Sequence, residues 1–187
     1  MGFHTFDADR AAKLEDPERY AWVSREELVD AVEPTPDDAV ADLGSGTGFY
    51  TDDVAPHAET VYGVDLQAEM HAAYREKGLP ENVELVESDV ADLPFAAGEL
   101  DAAFSTMTFH EFADDDAIAE VARVLRAEGR FVVFDWSADG DAAAGPPLDE
   151  RYDLADATAM LEGAGFEVVH GTTRTETFAV VALAPRG

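Results

Sequence analysis

Val40-Ala41-Asp42-Leu43-Gly44-Ser45-Gly46-Thr47-Gly48-Phe49-Tyr50-Thr51 is the stretch around which this chain is organised. Ala39 to Leu43 is a short apolar run broken only by Asp42, which suits a strand buried in a parallel sheet and bounded by a turn. Glycines then alternate at 44, 46 and 48. Glycine takes positive φ without penalty and carries no side chain, so a strand ending this way turns sharply and brings its backbone against a ligand.

The spacing narrows the choice of ligand. A dinucleotide fingerprint, G-x-G-x-x-G, needs a third glycine for close helix-to-strand packing. Counted from Gly44 that position is Phe49, and the pattern here is G-x-G-x-G. A phosphate-cradling Walker loop is excluded because no Gly-Lys-Ser/Thr follows. The next strand, Val61 to Val64, ends at Asp65, about 20 residues after the loop, where an acid accepts hydrogen bonds from ribose hydroxyls. A third strand, Val83 to Glu87, ends at Ser88-Asp89-Val90.

With these motifs in order, the chain resembles the class I S-adenosylmethionine-dependent methyltransferases. Asp42-x-Gly44-x-Gly46-x-Gly48 is similar to that family's first motif. Asp65 matches its ribose acid, and Asp89-Val90 its adenine-contacting pair. Leu93-Pro94-Phe95, Glu99-Leu100-Asp101 and the segment from Val121 to Arg130 resemble later landmarks of the small-molecule branch that includes quinone-biosynthesis methyltransferases. The likeness implies an α/β, Rossmann-like, doubly wound sheet of seven strands in the order 3-2-1-4-5-7-6, with the last strand antiparallel. Residues 1–36 would be a helical cap and residues 37–187 the cofactor-binding domain, in one compact unit. By the same resemblance S-adenosylmethionine is the cofactor. Gly44, Gly46 and Gly48 would let the backbone approach its methionine part, Asp42 would stand near its amino group, Asp65 would hold the ribose, and Asp89 would accept from the adenine amine. Ser45, Leu66, Val90 and Thr106 complete the expected cofactor-binding set. Acids at strand ends also cap helices or sit in solvent, so each carboxylate has an ordinary structural alternative. A partner subunit that binds the cofactor without transfer, and a nicotinamide oxidoreductase, are the competing readings; Phe49 speaks against the second.

The chain has 187 residues, enough for one well-buried domain. It carries 12 Lys plus Arg against 41 Asp plus Glu, a formal net charge of -29. The acids are scattered rather than gathered in a tail, which reads as an adaptation of the whole surface. Near 1 M salt the Debye length is about 3 Å, so self-repulsion of such a surface is largely screened. The composition resembles that of proteins from salt-accumulating halophiles. No Lys/Arg patch exists to neutralise phosphates, so a nucleic-acid partner is not expected, nor is an anionic membrane. The absence of cysteine excludes a disulfide, a thiolate zinc site and a cysteine nucleophile. The first residues lack the basic and apolar segments of a signal peptide, so a cytoplasmic location is expected.

Asp16-Pro17-Glu18 is a plausible helix start, with apolar positions from Tyr20 to Val32 continuing it to Pro34. Such a segment either lies over the cofactor as a lid or simply packs on the sheet. Helices are expected over Phe49 to about His57, Gln67 to Lys77, Asp114 to Arg126 and Arg151 to Glu162. Strands are expected at Leu100 to Ser105, Arg130 to Asp135, Phe166 to Thr173 and Thr177 to Leu183. Met70 falls where relatives contact adenine, or it is a core methionine. Ligands in open α/β sheets sit at the carboxyl ends of strands, so the loop Thr106 to Phe112 should face the transferred methyl. His110 is the candidate catalytic residue, a general base that Glu111 could bias; a surface or capping histidine is the ordinary alternative. Tyr20, Trp22, Phe109 and Trp136 are candidates to line an acceptor pocket, though aromatics are more often core. His4, His57, His71 and His170 show no metal-ligand spacing, and no metal is expected. The ordered motifs and the absence of a basic surface lead to the expectation of a small-molecule acceptor, whose identity the sequence leaves open.

Overall fold

In the computed structural model, which describes residues 8–186, the run Ala39–Leu43 is strand β1 and Asp42 is buried within it. β2 (Thr60–Asp65) and β4 (Leu100–Thr106) flank it in parallel, with Leu43 opposite Val64 and Asp42 opposite Phe104. β3 (Val83–Glu87) extends the sheet beyond β2, and β5 (Leu125–Trp136) pairs in parallel with β4. β7 (Thr177–Leu183) inserts antiparallel between β5 and β6 (Glu167–Thr173), which gives the order β3-β2-β1-β4-β5-β7-β6. Both the order and the reversed last strand are those implied by the resemblance.

Strand side chains alternate between two apolar layers. Leu43, Ala103, Phe131 and Val133 face α4 (Phe109–Phe112), α5 (Asp115–Val124) and α6 (Leu154–Gly163). Val40, Phe104, Val132 and Phe134 face α1 (Arg25–Val32), α2 (Thr51–Val54) and α3 (Ala68–Lys77). Because the parallel strands stop in register, the loops after β1, β2, β3, β4 and β5 emerge along one edge of the sheet. That edge is where the expected site residues collect.

Several boundaries differ from the sequence expectation, each for a local reason. Asp16 caps only a short 3₁₀ turn, Pro17–Ala21; α1 starts afresh at Ser24, whose hydroxyl accepts from Glu27 N. The helix after the glycine loop is four residues, Thr51–Val54, before a 3₁₀ turn at Ala55–His57 that carries Pro56. α5 ends at Val124 rather than Arg126, because Leu125 pairs with Leu100 and Arg126 is drawn to Asp101 at 2.8 Å. Gly129 therefore lies inside β5, with its carbonyl accepting from Ala184 N. α6 starts at Leu154 behind a capping box of Asp153 and Asp156, which leaves Arg151 outside the helix. His4 lies outside the described residues. Among the described residues no helix is long and apolar enough to cross a membrane, and no cluster of three or more His, Asp or Glu could hold a metal.

Candidate functional site

The glycine loop is folded by its own backbone. Gly44 N and Ser45 N both donate to Val64 O at 2.9 Å, stitching the end of β1 to the end of β2. Gly44 has φ +80, and a Cβ there would lie 2.3 Å from Thr108 Cγ2; Thr108 in turn donates to Gly44 O. Gly48 has φ +79, and a Cβ there would meet the Tyr74 ring at 2.0 Å. Glycine is thus required at both positions for the loop to lie against α3 and the turn after β4, before any ligand is considered.

These loops enclose a cavity of about 870 Å³. Of the residues expected to bind the cofactor, Gly44, Ser45, Gly46, Asp65, Leu66, Asp89, Val90 and Thr106 line it, as does Met70 of α3. Asp42 and Gly48 stand behind the wall, and this places Asp42 differently from the reading that put it beside the ligand. Asp42 is 1% exposed; its Oδ2 accepts from Thr51 Oγ1 at 2.7 Å and its Oδ1 has no partner. Burial drives its carboxyl up to about 7, against the Thr51 bond and the Arg19 cation, with Asp65 adding to the rise. Ser45 Oγ is a second buried, unpartnered polar atom, and it belongs to a residue on the cavity wall. Such atoms call for a partner that is not part of the fold.

Asp65 carries a duty that the sequence did not reveal. Its Oδ2 accepts from Gly46 N at 2.8 Å and its Oδ1 from Gln67 N at 2.8 Å. The carboxylate pins the glycine loop while its remaining lone pairs stay directed at the cavity residues around it. Asp89 is exposed and holds its own turn through Ala91 N.

The residues before β1 cover the loop. Lys13, Leu14, Arg19 and Trp22 all line the cavity. Leu14 lies 3.2 Å from where a Gly46 Cβ would stand, Glu15 accepts from the Thr47 hydroxyl, and Lys77 Nζ reaches Glu15 at 3.2 Å and Asp52 at 2.8 Å. The Arg19 guanidinium sits 5.0 Å from the Phe49 ring centroid and 4.9 Å from that of Tyr50, and donates to Leu14 O. Phe49, the residue that broke the dinucleotide pattern, is therefore a floor for this segment. Tyr20 packs with Phe49 and Tyr50 and donates to Asp53, and Phe109 is buried among Phe112, Phe131 and Tyr152, so neither lines the cavity.

The other end of the cavity is built by the turns after β4 and β5. Met107 holds φ +61, uncommon for a residue with a side chain, and its N–H donates to Phe134 O at 2.7 Å. That turn places His110 over the end of β5. His110 N donates to Asp135 Oδ2 at 2.6 Å, and Nδ1 lies 2.9 Å from both oxygens of Asp135, whose side chain is 1% exposed. With Nδ1–H donating to the carboxylate, Nε2 carries the free lone pair. Burial pulls the imidazole pKa down, but the charge and hydrogen bond of Asp135, helped by Glu111 and Glu150, outweigh it and the net shift is upward. Sequence reasoning looked to adjacent Glu111, whose Oε1 is 3.9 Å from Nε2; the closer partner is Asp135, the acid at the end of β5. Its position at a strand end, like that of Asp65, was the available signal.

Trp22 and Trp136 also line this end, with ring centroids 5.3 Å apart at 61°. A strap over Ala144-Gly145-Pro146 closes it, with Gly145 against the Trp136 ring. Arg151, its side chain fully buried, donates to Ala144 O, Pro146 O and Ser137 O; Glu176 accepts from Asp141 N and Ala143 N and pairs with Arg151 at 3.4 Å.

Residues 41–133 match the family described as a methyltransferase domain. A demethylmenaquinone methyltransferase of Corynebacterium kroppenstedtii is 36% identical over 107 residues, 57% of this chain and 45% of that protein. An uncharacterised methyltransferase of Bacillus subtilis is 35% identical over 116 residues, 59% of this chain and 44% of that protein. The aligned part thus spans about half the length of these curated relatives. A solved S-adenosylmethionine-dependent methyltransferase from Aquifex aeolicus is 29% identical and superposes with a TM-score of 0.86, covering 96% of this chain and 100% of the other.

Proposed function

Because the chain belongs to the S-adenosylmethionine-dependent methyltransferases, we propose that it methylates a small-molecule acceptor, with His110 as general base. The observation that carries the proposal is His110 on the wall of the cavity that the glycine loop opens, held from behind by the buried Asp135. A histidine held through Nδ1 by a buried carboxylate keeps one tautomer and one orientation, and its Nε2 can take a proton from an acceptor hydroxyl or amine.

The lining fits the cofactor. Asp65 and Asp89 offer acceptors for ribose hydroxyls and an amine, Ser45 Oγ is a hydroxyl in want of a partner, and Arg19 is a cation for a carboxylate. Gly44, Gly46, Leu66, Val90 and Thr106 complete that end, while Asp42 acts from behind the loop. The bound cofactor supplies a methyl group on a sulfonium, open to in-line displacement. The protein then has to hold the acceptor in line and accept its proton, tasks for the Thr106–His110 turn and the strap. Residues 1–36 serve as a cap and residues 37–187 as the cofactor-binding domain. The net charge of -29 supports operation in molar salt and argues against a nucleic acid as substrate; a cytoplasmic location belongs to the same proposal.

Calorimetric titration in molar KCl with S-adenosylhomocysteine, with NAD as control, tests the cofactor reading; transfer of labelled methyl to a panel of hydroxyl and amine acceptors tests the activity. Saturable binding of S-adenosylhomocysteine alone is the expected result. Folded protein that binds neither compound refutes the cofactor reading. Binding without transfer to any acceptor favours the non-catalytic partner account.

A further inference from the structure

Trp22 is the residue by which the segment covering the glycine loop reaches the acceptor end of the cavity. Its ring lies on the wall, 5.3 Å from that of Trp136 and tilted by 61°. The neighbouring carbonyls are held from the glycine-loop side, where the Tyr50 hydroxyl sits 3.1 Å from Arg19 O and 3.3 Å from Val23 O. The Trp22 carbonyl is held from the opposite side, by a residue 152 positions further along the chain.

That residue is Arg174, in the turn between β6 and β7, which its own N–H closes by donating to Thr177 O at 2.7 Å. Thr177 pairs with Trp136, so the turn lies beside the end of β5. From there one guanidinium makes three contacts. Nη1 donates to Trp22 O at 2.6 Å, Nη2 pairs with Glu27 of α1, and Cζ lies 5.2 Å from the centroid of the Phe134 ring. Phe134 is also the residue whose carbonyl accepts from Met107 N, in the turn that carries His110.

A guanidinium suits this junction because it is planar, with donors fixed in a fork and a face that stacks on a ring; an ammonium is a point charge without that geometry. Burial is deep enough to pull the Arg174 pKa down, and partly buried pairs are screened much less than exposed ones at high salt. Other ties of the covering segment, Glu15 to Thr47 and Lys77 and Tyr20 to Asp53, lead to the glycine loop, α2 and α3. Removing Arg174 leaves those ties in place and releases the end that carries Trp22.

We infer that Arg174 is a positioning residue for methyl transfer: acting from behind the wall through the Trp22 carbonyl, it holds the Trp22 ring against Trp136 and so sets the width of the acceptor end. The inference rests on reading the cavity as a methyl-transfer site.

The chain contains two tryptophans, and two non-parallel indoles at 5.3 Å couple their strong ultraviolet transitions into circular dichroism bands of opposite sign. The amplitude of this couplet depends on the distance and angle between the rings. Trp22→Phe leaves one indole and defines the couplet by difference. Spectra of the ligand-free full chain are taken in molar potassium fluoride, which is transparent in the far ultraviolet, well below each variant's thermal midpoint. Arg174→Ala is expected to lose most of the couplet and Arg174→Lys to recover little of it. Arg186→Ala, which gives up an exposed pair with Glu128, should keep it in full. Affinity of Arg174→Ala for S-adenosylhomocysteine, by calorimetry, should stay within about twofold of the wild type. In transfer of labelled methyl to phenol and 2-naphthol, which differ by one fused ring, Arg174→Ala should shift the ratio toward 2-naphthol by about threefold or more.

A wild type without a couplet, a couplet undiminished in Arg174→Ala, or an equal loss in Arg186→Ala overturns the inference. So does an unchanged transfer ratio beside a lost couplet, or a tenfold loss of S-adenosylhomocysteine affinity, since Arg174 then supports the whole cavity rather than its acceptor end. Should the alanine variant not fold, Arg174→Lys and Glu27→Gln carry the test, and an undiminished couplet in both overturns the inference. Wild-type protein that binds no S-adenosylhomocysteine, or methylates no acceptor, strikes the proposed function instead, while the couplet still decides whether Arg174 positions Trp22.

Discussion

Replacing Asp65 with alanine should damage the protein before any ligand arrives. The side chain accepts two backbone hydrogen bonds, from Gly46 N and Gln67 N, each at 2.8 Å. A hydrogen bond to a charged group contributes about 1.5–3 kcal/mol, and the half-exposed position lowers the sum of two to roughly 2–4 kcal/mol. For a chain of this size that corresponds to a fall in Tm of roughly 4–16 °C. Affinity for S-adenosylhomocysteine should fall by a further 1–3 kcal/mol, about 5- to 150-fold, because the proposed ribose partner is lost and the loop is no longer held. Asp65→Asn is the sharper probe. Its amide keeps a single acceptor oxygen and turns an N–H₂ toward either Gly46 N–H or Gln67 N–H, so it should not restore stability. Thermal unfolding of the ligand-free variants by circular dichroism, followed by calorimetric titration, separates the two effects. An alanine variant with wild-type Tm but poor affinity would show that Asp65 touches only the ligand, and an asparagine variant as stable as wild type would refute the two-bond account.

Gly48→Ala should destabilise by roughly 2–5 kcal/mol, combining left-handed strain with displacement of the buried Tyr74 ring, whereas Gly163→Ala, with open space around it, should be neutral or slightly stabilising; urea unfolding of the pair measures the contrast. Glu176→Ala strands the buried Arg151 guanidinium, at a cost of roughly 3–5 kcal/mol, and hydrogen exchange at the amides of Asp141 and Ala143 should accelerate. Asp42 holds its proton to about pH 7 when folded, against the ordinary aspartate value of 3.8. The native state therefore binds more protons than the unfolded chain between those values, and stability falls as pH rises through that window by up to roughly 4 kcal/mol. Asp42→Asn should flatten that slope in denaturation curves taken from pH 4 to 8, and an unchanged difference between variant and wild type would count against the buried-carboxyl account. His110 has a raised folded pKa, so its pairing with Asp135 stabilises the fold below the ordinary histidine range and that contribution is lost as pH rises through the folded value. The proposed role as a base requires the neutral form, so methyl transfer should rise over the same interval and lose that limb in His110→Gln.

The strands and the glycine-loop end of the site were legible in the chain itself, whereas the strand order was implied by the family resemblance that its motifs carry. Apolar runs at Ala39–Leu43 and Leu100–Ser105, glycines at 44 and 46, and strand-end acids at 65 and 89 are local patterns, and strand periodicity and turn chemistry act over a few residues. Arrangements that depend on residues distant in the chain were not legible. Asp135 is the partner of His110 because β4 and β5 lie side by side and the Met107 turn folds His110 back over the end of β5. The Tyr74 ring explains why glycine is needed at 48, and the loop contact of Asp65 gives that acid a second role. Asp42 shows the limit most plainly: its place in the motif suggests a ligand contact, whereas the folded chain buries it behind the loop. The sequence by itself determined which strands form and where the chain turns. Only the tertiary structure decided which charges meet, because side-chain pairing and desolvation depend on packing between elements that the sequence does not place side by side.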